Sequence, residues 1–232
     1  GLTPVCFGLD ASCPFHAEQV TSRGLKGTDV HIVTPVSSFD THISIPGRHM
    51  VYNALAAAAV GYALGLTDEE IAQGIASNVP IAGRNNLIEG KCYTVIDDCY
   101  NANPASMKSS LDVLAYADTR TAAVLGDMFE LGADEKKMHY NVGVHAAEKG
   151  IDVLICIGAL SAEIARGARE TANSTEAENE AQTSSMEIHH YKTKAEFFEN
   201  ADSVLREGDT ILVKASHGME FPEIVERLSK KE

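Results

Sequence analysis

The feature that most constrains the fold is a regular alternation of short apolar stretches and helical stretches from Leu87 onward. The β-prone apolar stretches are residues 93–96, 121–125, 153–157, 188–191 and 210–213. Helical stretches are expected to begin between and after them, near Pro104, Glu135, Ser161, Lys194 and Pro222. Apolar strands that alternate with helices form a parallel sheet with helices on both faces. Residues 86–232 are therefore predicted to form one α/β domain.

A parallel sheet also predicts where a ligand binds, because ligands of such sheets collect at the carboxyl ends of the strands. Four segments lie at the carboxyl end of a predicted strand or directly after it. They read DDCYNAN, GDMFE, IGALS and KASHG. We expect these four segments to share one rim of the sheet, and we expect the site there.

Residues 1–85 do not show the regular alternation of strands and helices. The 232 residues are therefore predicted to form two domains, 1–85 and 86–232. Stretches 30–35 and 41–45 are predicted strands, and an alanine-rich helix is expected over 49–65. A second helix should begin after Thr67, where Glu70 three residues later completes a capping box.

In the second predicted domain, residues 171–185 contain no bulky aliphatic or aromatic side chain, so a surface loop is predicted there.

Composition excludes several classes of protein. The net charge is −14 without a basic stripe, so binding to nucleic acid is not expected. No apolar run approaches the roughly 20 residues that cross a bilayer, and the first residues lack the features of a signal peptide. A cytoplasmic location without membrane contact is therefore expected. Five scattered cysteines without a CxxC pair favour reduced thiols over disulfides or a zinc site, so no metal site is predicted.

The segment IDDCYNANP at 96–104 carries the densest polar chemistry. Asn103 and Pro104 suit the first positions of a helix, so one interpretation is a well-capped turn between a strand and a helix. The other is a carboxylate at the rim that binds a ribose or an ammonium group. Because adjacent strand residues point to opposite faces, at most one of Asp97 and Asp98 should face the cleft. Both interpretations stay open on these residues alone.

This segment resembles the corresponding stretch of the Mur ligase family, and within it the branch that adds D-alanyl-D-alanine to a UDP-N-acetylmuramoyl-tripeptide. Three further segments agree, in the order that the family shows, and the resemblance spans about residue 25 to the end. They are PGRHMVYNALAAA at 46–58, VLGDMFELG at 124–132 and ILVKAS at 211–216. The segment at 124–132 separates this branch from the other muramoyl ligases.

The resemblance implies both a fold and an activity. Residues 86–232 would be the Rossmann-like C-terminal domain, and residues 1–85 would be the tail, strands plus two helices, of the central ATP-binding domain. The expected reaction is ATP-dependent amide-bond formation in peptidoglycan synthesis, through an acyl phosphate. ATP and Mg²⁺ are the expected cofactors. UDP-N-acetylmuramoyl-tripeptide and D-alanyl-D-alanine are the expected substrates, and the complete enzyme is expected to be a monomer.

Matching positions imply roles for individual residues. Asn53 would contact the adenine, Arg84 the nucleotide phosphates in a catalytic role, and Asp98 the ribose hydroxyls. Replacing Asp98 by Asn is expected to weaken ATP binding without affecting folding. The positions expected near the incoming dipeptide are Asn101, Asn103, Lys214 and Ser216. Lys214 is also expected to be catalytic, binding a carboxylate or a phosphate, with a solvated surface lysine as the open alternative.

Two positions depart from the family pattern. Met50 follows His49 where the family commonly has Asn, and a thioether does not donate a hydrogen bond to a purine. Adenine contact would therefore depend more heavily on Asn53. His217 stands where an arginine often follows the serine of the last strand motif. Its charge near pH 7 is conditional, which puts a role in anion binding in doubt.

The phosphate-binding pattern GxxxxGK[ST] does not occur in the sequence, and neither does GxGxxG after a strand. We therefore expect a fragment of the ligase that is inactive by itself. The alternative is a naturally short, non-catalytic paralogue that binds a nucleotide or a peptide. A scaffold for partner proteins is a third possibility and would need a large exposed apolar patch. His139 is expected to be a packing or a surface residue rather than a catalytic one, and Cys99 is not expected to be a nucleophile.

Overall fold

The computed structural model describes residues 4–178 and 186–231. The chain divides into two compact units, Gly1–Pro80 and Ile81–Glu232. Among the described residues, no helix has both the length and the apolar character needed to cross a bilayer.

The first unit is a four-stranded sheet covered by two helices. Strands follow the order β1-β2-β3-β4, with β1 parallel to β2 and the other neighbours antiparallel. The elements are β1 (Phe7–Gly8), β2 (Phe15–Ser22), β3 (Thr28–Val33), β4 (Ser38–Ile43), α1 (His49–Ala63) and α2 (Asp68–Ala76). A short 3-10 helix, Gly24–Lys26, precedes β3. Strands β1 and β2 are not among the strands that the sequence predicts.

Alternation along the strands places one face of this sheet against α1 and α2. Val30 and Ile32 of β3 are buried and share a core cluster with Leu55 and Ala58 of α1. Small alanine side chains let α1 approach the sheet closely. The capping box predicted for α2 is confirmed: Glu70 N donates to Thr67 Oγ1 at 3.2 Å, and Thr67 N donates to Glu70 Oε2 at 2.8 Å.

The second unit is a six-stranded sheet in the order β5-β6-β10-β7-β8-β9. Five strands are parallel, and β5 is antiparallel to β6 at one edge. The strands are β5 (Asn86–Glu89), β6 (Thr94–Asp97), β7 (Thr121–Gly126), β8 (Val153–Ile157), β9 (Glu187–Tyr191) and β10 (Thr210–Lys214). The helices are α3 (Pro104–Leu114), α4 (Glu135–Glu148), α5 (Ser161–Glu178), α6 (Lys194–Val204) and α7 (Pro222–Ser229). Short 3-10 helices span Gly132–Asp134 and His217–Met219.

Helices cover both faces of this sheet, as predicted. Val124 and Val213 share a core cluster with Phe197 of α6 and Ile224 of α7. The residues that alternate with these two along β7 and β10 are buried on the other face of the sheet. Helices α3 and α5 contact strands β7, β8, β9 and β10. The α/β class is confirmed, and all five helices begin at the predicted residues. The sheet is mixed rather than purely parallel, because the edge strand β5, which the sequence did not predict, runs antiparallel to β6.

The loop predicted for residues 171–185 is wrong over its first part. Helix α5 continues to Glu178. Two hydroxyls in this part donate to carbonyls one turn back: Thr171 Oγ1 to Gly167 O and Ser174 Oγ to Glu170 O, both at 2.9 Å. A segment without bulky side chains contributes little to a core, yet it can extend an existing helix into solvent. Residues 179–185 lie outside the described part.

Candidate functional site

The carboxyl ends of β6, β10 and β7 bring three polar groups of the second unit together. Asp98 follows β6, Lys214 is the last residue of β10, and Asp127 follows β7. This is the rim that the sheet topology predicted. Strand β10 lies between β6 and β7, so its end is central to the rim.

A buried ion pair forms the centre of the rim. The Nζ atom of Lys214 lies 2.6 Å from Oδ2 of Asp98, and the lysine side chain is only 3% exposed. The same ammonium donates to the carbonyl oxygens of Asp98 at 3.3 Å and Asn101 at 3.0 Å. Its three N–H groups are thus all directed at protein acceptors. Lys214 is therefore not the solvated surface lysine that was the alternative interpretation.

Two further donors hold the Asp98 carboxylate. Oδ1 accepts a hydrogen bond from Asn85 N at 3.0 Å, and Oδ2 accepts one from Ser110 Oγ at 2.6 Å. Ser110 is a buried residue of α3. Three separate segments therefore orient this carboxylate: the turn before β5, helix α3 and strand β10. These contacts use about three of the four acceptor positions that a carboxylate offers.

Asp97 has a different set of partners. Its Oδ2 accepts from Gly83 N at 2.7 Å, and its Oδ1 accepts from Cys99 N at 3.4 Å and from Cys99 Sγ at 2.9 Å. Burial raises the pKa of the Cys99 thiol, and the hydrogen bond to Asp97 adds to the rise. Because only a thiolate is nucleophilic, this environment suits a packed thiol.

The exposed part of the rim carries a cation beside an aromatic ring. The guanidinium carbon of Arg84 lies 4.1 Å from the centroid of the Tyr100 ring, and Tyr100 is half exposed. The ring centroids of Tyr100 and His217 are 5.7 Å apart. Asn101 is also exposed, with its Oδ1 accepting from Ala102 N at 2.9 Å.

Asn103 and Ser216 both have roles within the protein. Asn103 is the N-cap of α3: its Oδ1 accepts from Ser106 N at 2.9 Å, and its own N–H donates to Ser106 Oγ at 3.1 Å. Ser216 is buried, and its Oγ accepts from Phe129 N at 2.9 Å. These bonds account for both positions without a ligand.

Sequence reasoning missed several residues that shape the rim. Asp127 accepts from Ser161 N at 2.7 Å and from Ala159 N at 3.1 Å, so it caps the start of α5. Ser110 was also missed, because a serine within a helix carries no local signal of a distant carboxylate.

His139 is fully buried, and its Nε2 accepts from Met128 N at 2.9 Å. Its packing role agrees with the prediction.

Asn53 lies in the first unit, on the exposed side of α1. It lines a cavity of about 370 Å³ together with Met50, Ala54, Glu70 and other residues of α1 and α2. Its Nδ2 lies 3.3 Å from the sulfur of Met50. A thioether is a weak acceptor, so this contact holds the amide only loosely. The other six predicted site residues all belong to the second unit.

The fold and the rim of the second unit define the class of domain to which it belongs. A largely parallel α/β sheet that gathers an oriented carboxylate, a buried lysine and an exposed arginine at its strand carboxyl ends is a Rossmann-like domain. Residues 83–217 match the family model described as "Mur ligase, glutamate ligase domain". Because this match covers more than half of the sequence, the chain belongs to the Mur ligase family.

Two curated relatives carry the name of the same ligase within this family. The chain is 33% identical over 214 residues to the UDP-N-acetylmuramoyl-tripeptide–D-alanyl-D-alanine ligase of Escherichia coli (strain K12), covering 91% of this chain and 43% of the relative. It is also 33% identical to the ligase of the same name from Bacillus subtilis (strain 168), covering 90% of this chain and 44% of the relative. The chain thus spans less than half the length of these relatives.

A solved structure has a similar fold over nearly the whole of this chain. The crystal structure of MurF from Acinetobacter baumannii superposes with a TM-score of 0.81 at 25% identity, covering 97% of this chain and 47% of that one.

Proposed function

We propose that this chain supplies the C-terminal part of an ATP-dependent ligase that adds D-alanyl-D-alanine to UDP-N-acetylmuramoyl-tripeptide in peptidoglycan synthesis. The observation that carries the proposal is the 33% identity, over 91% of the chain, to a relative of that name. The rim described above supports it, because it offers an oriented carboxylate and an exposed cation at the place where α/β sheets bind ligands.

In the proposed reaction, a carboxylate oxygen of the tripeptide attacks the γ-phosphorus of ATP and ADP leaves. The amine of the dipeptide then attacks the carbonyl carbon of the acyl phosphate, loses a proton, and expels inorganic phosphate. Such steps depend mainly on positioning and on neutralising charge. The exposed guanidinium of Arg84 suits the phosphates, and the remaining acceptor position of Asp98 suits a ribose hydroxyl.

The other assignments differ in how well the structure supports them. The exposed Asn101 has an amide nitrogen that could reach a dipeptide. Asn103 and Ser216 are engaged with neighbouring backbone, so we propose that they shape the dipeptide site indirectly. Lys214 is buried, which favours holding Asp98 in place over touching substrate. Asn53 lines a cavity of a size that small ligands occupy, which supports its proposed contact with adenine.

Mg²⁺ prefers oxygen ligands, chiefly carboxylates and phosphates. Within the described ranges, no group of three or more His, Cys, Asp or Glu residues is arranged to hold a metal. The carboxylates of the rim therefore do not form a metal site of their own.

The test is amide formation by the complete polypeptide that carries these residues. Phosphate release should require ATP, the UDP-tripeptide and D-alanyl-D-alanine together, and mass spectrometry should show the pentapeptide product. The 232 residues alone serve as the comparison and should give no turnover. Phosphate release that ignores the dipeptide would overturn the proposed substrate. Tight ADP binding by the 232 residues, with no ligase activity in the complete polypeptide, would favour the short binding paralogue.

A further inference from the structure

We propose that Tyr100 is a positioning residue that holds the guanidinium of Arg84 ready for a phosphate group. The inference rests on the proposed function, in which Arg84 binds the nucleotide phosphates. It adds a residue to which the resemblance assigned no role.

The first observation is the docking of the turn that carries Arg84. Tyr100 N donates to Gly83 O at 3.0 Å, and Gly83 N donates to Asp97 Oδ2 at 2.7 Å. Gly83 has φ +78°, and a Cβ added there would lie 3.1 Å from both Cβ and N of Tyr100. Few side chains adopt this backbone conformation, and the space beside it is already filled. The turn is therefore held directly against the segment that includes Tyr100.

The second observation is the stack itself. The Arg84 guanidinium carbon is 4.1 Å from the Tyr100 ring centroid, well inside the range of a cation–π contact. Both side chains are exposed. The ring of His217 lies beside that of Tyr100, with the two planes tilted by 51°. Tyr100 thus has neighbours that limit its rotation, while the arginine remains open to solvent.

The third observation concerns charge. The chain has 33 acidic residues and only 19 basic ones. Within the described part, no ion pair joins Arg84 to a carboxylate, although several other arginines do have such pairs, among them Arg120 and Arg166 with two each. An arginine that stacks on a ring, and is not neutralised by a carboxylate, keeps its charge available for an external anion.

The physical benefit is pre-organisation. A free arginine side chain has many rotamers. Binding a phosphate through a bidentate pair of hydrogen bonds requires most of these rotamers to be lost. The face of an aromatic ring holds the planar guanidinium while its N–H groups point outward. Phenylalanine would serve as well, since the ring face and not the hydroxyl makes the contact. Leucine would not.

The test compares Tyr100→Leu, Tyr100→Phe, Arg84→Ala and the double variant Arg84→Ala/Tyr100→Leu in the complete ligase. We expect Tyr100→Leu to raise the KM for ATP about twofold to fivefold, the range of a partly exposed cation–π contact. Tyr100→Phe should stay within about twofold of the wild type on the same grounds. The double variant should match Arg84→Ala alone, because the ring acts only through the arginine.

The outcomes separate the two proposals. If Arg84→Ala leaves the KM for ATP unchanged, the phosphate-binding role of Arg84 fails, and with it that part of the proposed function. If Arg84→Ala raises it while Tyr100→Leu does not, or if the two effects simply add, the positioning role is overturned and the proposed function stands.

A second measurement needs no ligand and detects a variant that merely misfolds. In NMR spectra of the 232-residue chain, ring currents should shift the Arg84 side-chain protons upfield in the wild type and in Tyr100→Phe. The shift should vanish in Tyr100→Leu while the remaining spectrum is preserved. An unshifted Arg84 in the wild-type chain would overturn the inference.

Discussion

The ammonium of Lys214 and the carboxylate of Asp98 are 2.6 Å apart, with the lysine side chain 3% exposed and the aspartate side chain 16% exposed. An ion pair this far from water is favourable only if each charge keeps its partner. The carboxylate that we propose as a ribose ligand is therefore also part of the internal structure of the second unit, and changes at either residue should affect folding as well as binding.

Lys214→Met should lower the free energy of unfolding of the second unit by about 3–5 kcal/mol, because it leaves the Asp98 carboxylate buried without a cation. Urea denaturation followed by circular dichroism measures the change. Lys137→Met, on the exposed side of α4, is the matched control and should stay within about 0.5 kcal/mol of the wild type. A Lys214→Met variant as stable as this control would contradict the burial of the pair.

Asp98→Asn was expected from the sequence to leave folding unaffected, and the ion pair leads us to expect otherwise. The neutral amide leaves the Lys214 ammonium uncompensated, so the loss should again be about 3 kcal/mol. Combining Asp98→Asn with Lys214→Met removes both charges. The double variant should then be less destabilised than the sum of the single variants, as coupled neighbours are. Simple additivity would show that the two residues do not interact.

Ser110→Ala tests the helix donor to the same carboxylate. Its Oγ lies 2.6 Å from Asp98 Oδ2, so the variant should lose about 1.5–3 kcal/mol of stability, the range of a hydrogen bond to a charged group. Ser109→Ala, at the neighbouring position of the same helix, is the control and should change little. Thermal or chemical unfolding of both variants gives the comparison. Equal stability of the two would argue against the Ser110 bond.

His139 should carry its proton on Nδ1. Met128 N–H donates to Nε2 at 2.9 Å, so Nε2 must be unprotonated, while Nδ1 lies 2.7 Å from the carbonyl oxygen of Glu135 and donates to it. Long-range ¹H–¹⁵N spectra distinguish the two tautomers. His145 is the internal comparison: its Nε2 lies 2.9 Å from Asp112 Oδ1 and should be protonated. An Nε2 proton on His139 would rule out the bond from Met128.

Thiol labelling should separate the cysteines by environment. Burial raises the pKa of the Cys99 and Cys156 thiols, so at mildly alkaline pH both remain protonated, and an alkylating reagent should not modify them in the folded chain. Cys6 is exposed and should react first. Peptide mapping by mass spectrometry identifies the labelled sites, and a denatured sample provides full labelling. Early modification of Cys99 would restore it as a candidate nucleophile.

Much of the secondary structure could be predicted because its signals are local. Proline at the first helical position marks the start of α3 and α7, and the capping box at Thr67 marks the start of α2. Alternation along a strand was enough to expect opposite orientations for Asp97 and Asp98. Strand β5 escaped prediction because four residues with polar ends carry little periodicity.

The central contacts of the rim could not be predicted, because they join residues that are distant in sequence. Lys214 reaches Asp98 only because β10 pairs with both β6 and β7, and nothing near residue 214 specifies that order. The Arg84–Tyr100 stack likewise depends on a turn docked by backbone hydrogen bonds. Strand order and loop docking are set by tertiary packing, which a local pattern does not encode.

The position of β10 also has a consequence for biosynthesis. The strand that lies between β6 and β7 is translated more than a hundred residues after β6. At elongation rates of about 5–20 residues per second, that interval is on the order of ten seconds. Throughout it the nascent polypeptide holds two strands with open edges and an aspartate without its counter-ion. The rim is therefore assembled almost last. Nearly all of this unit must be translated before a ligand can bind at the rim.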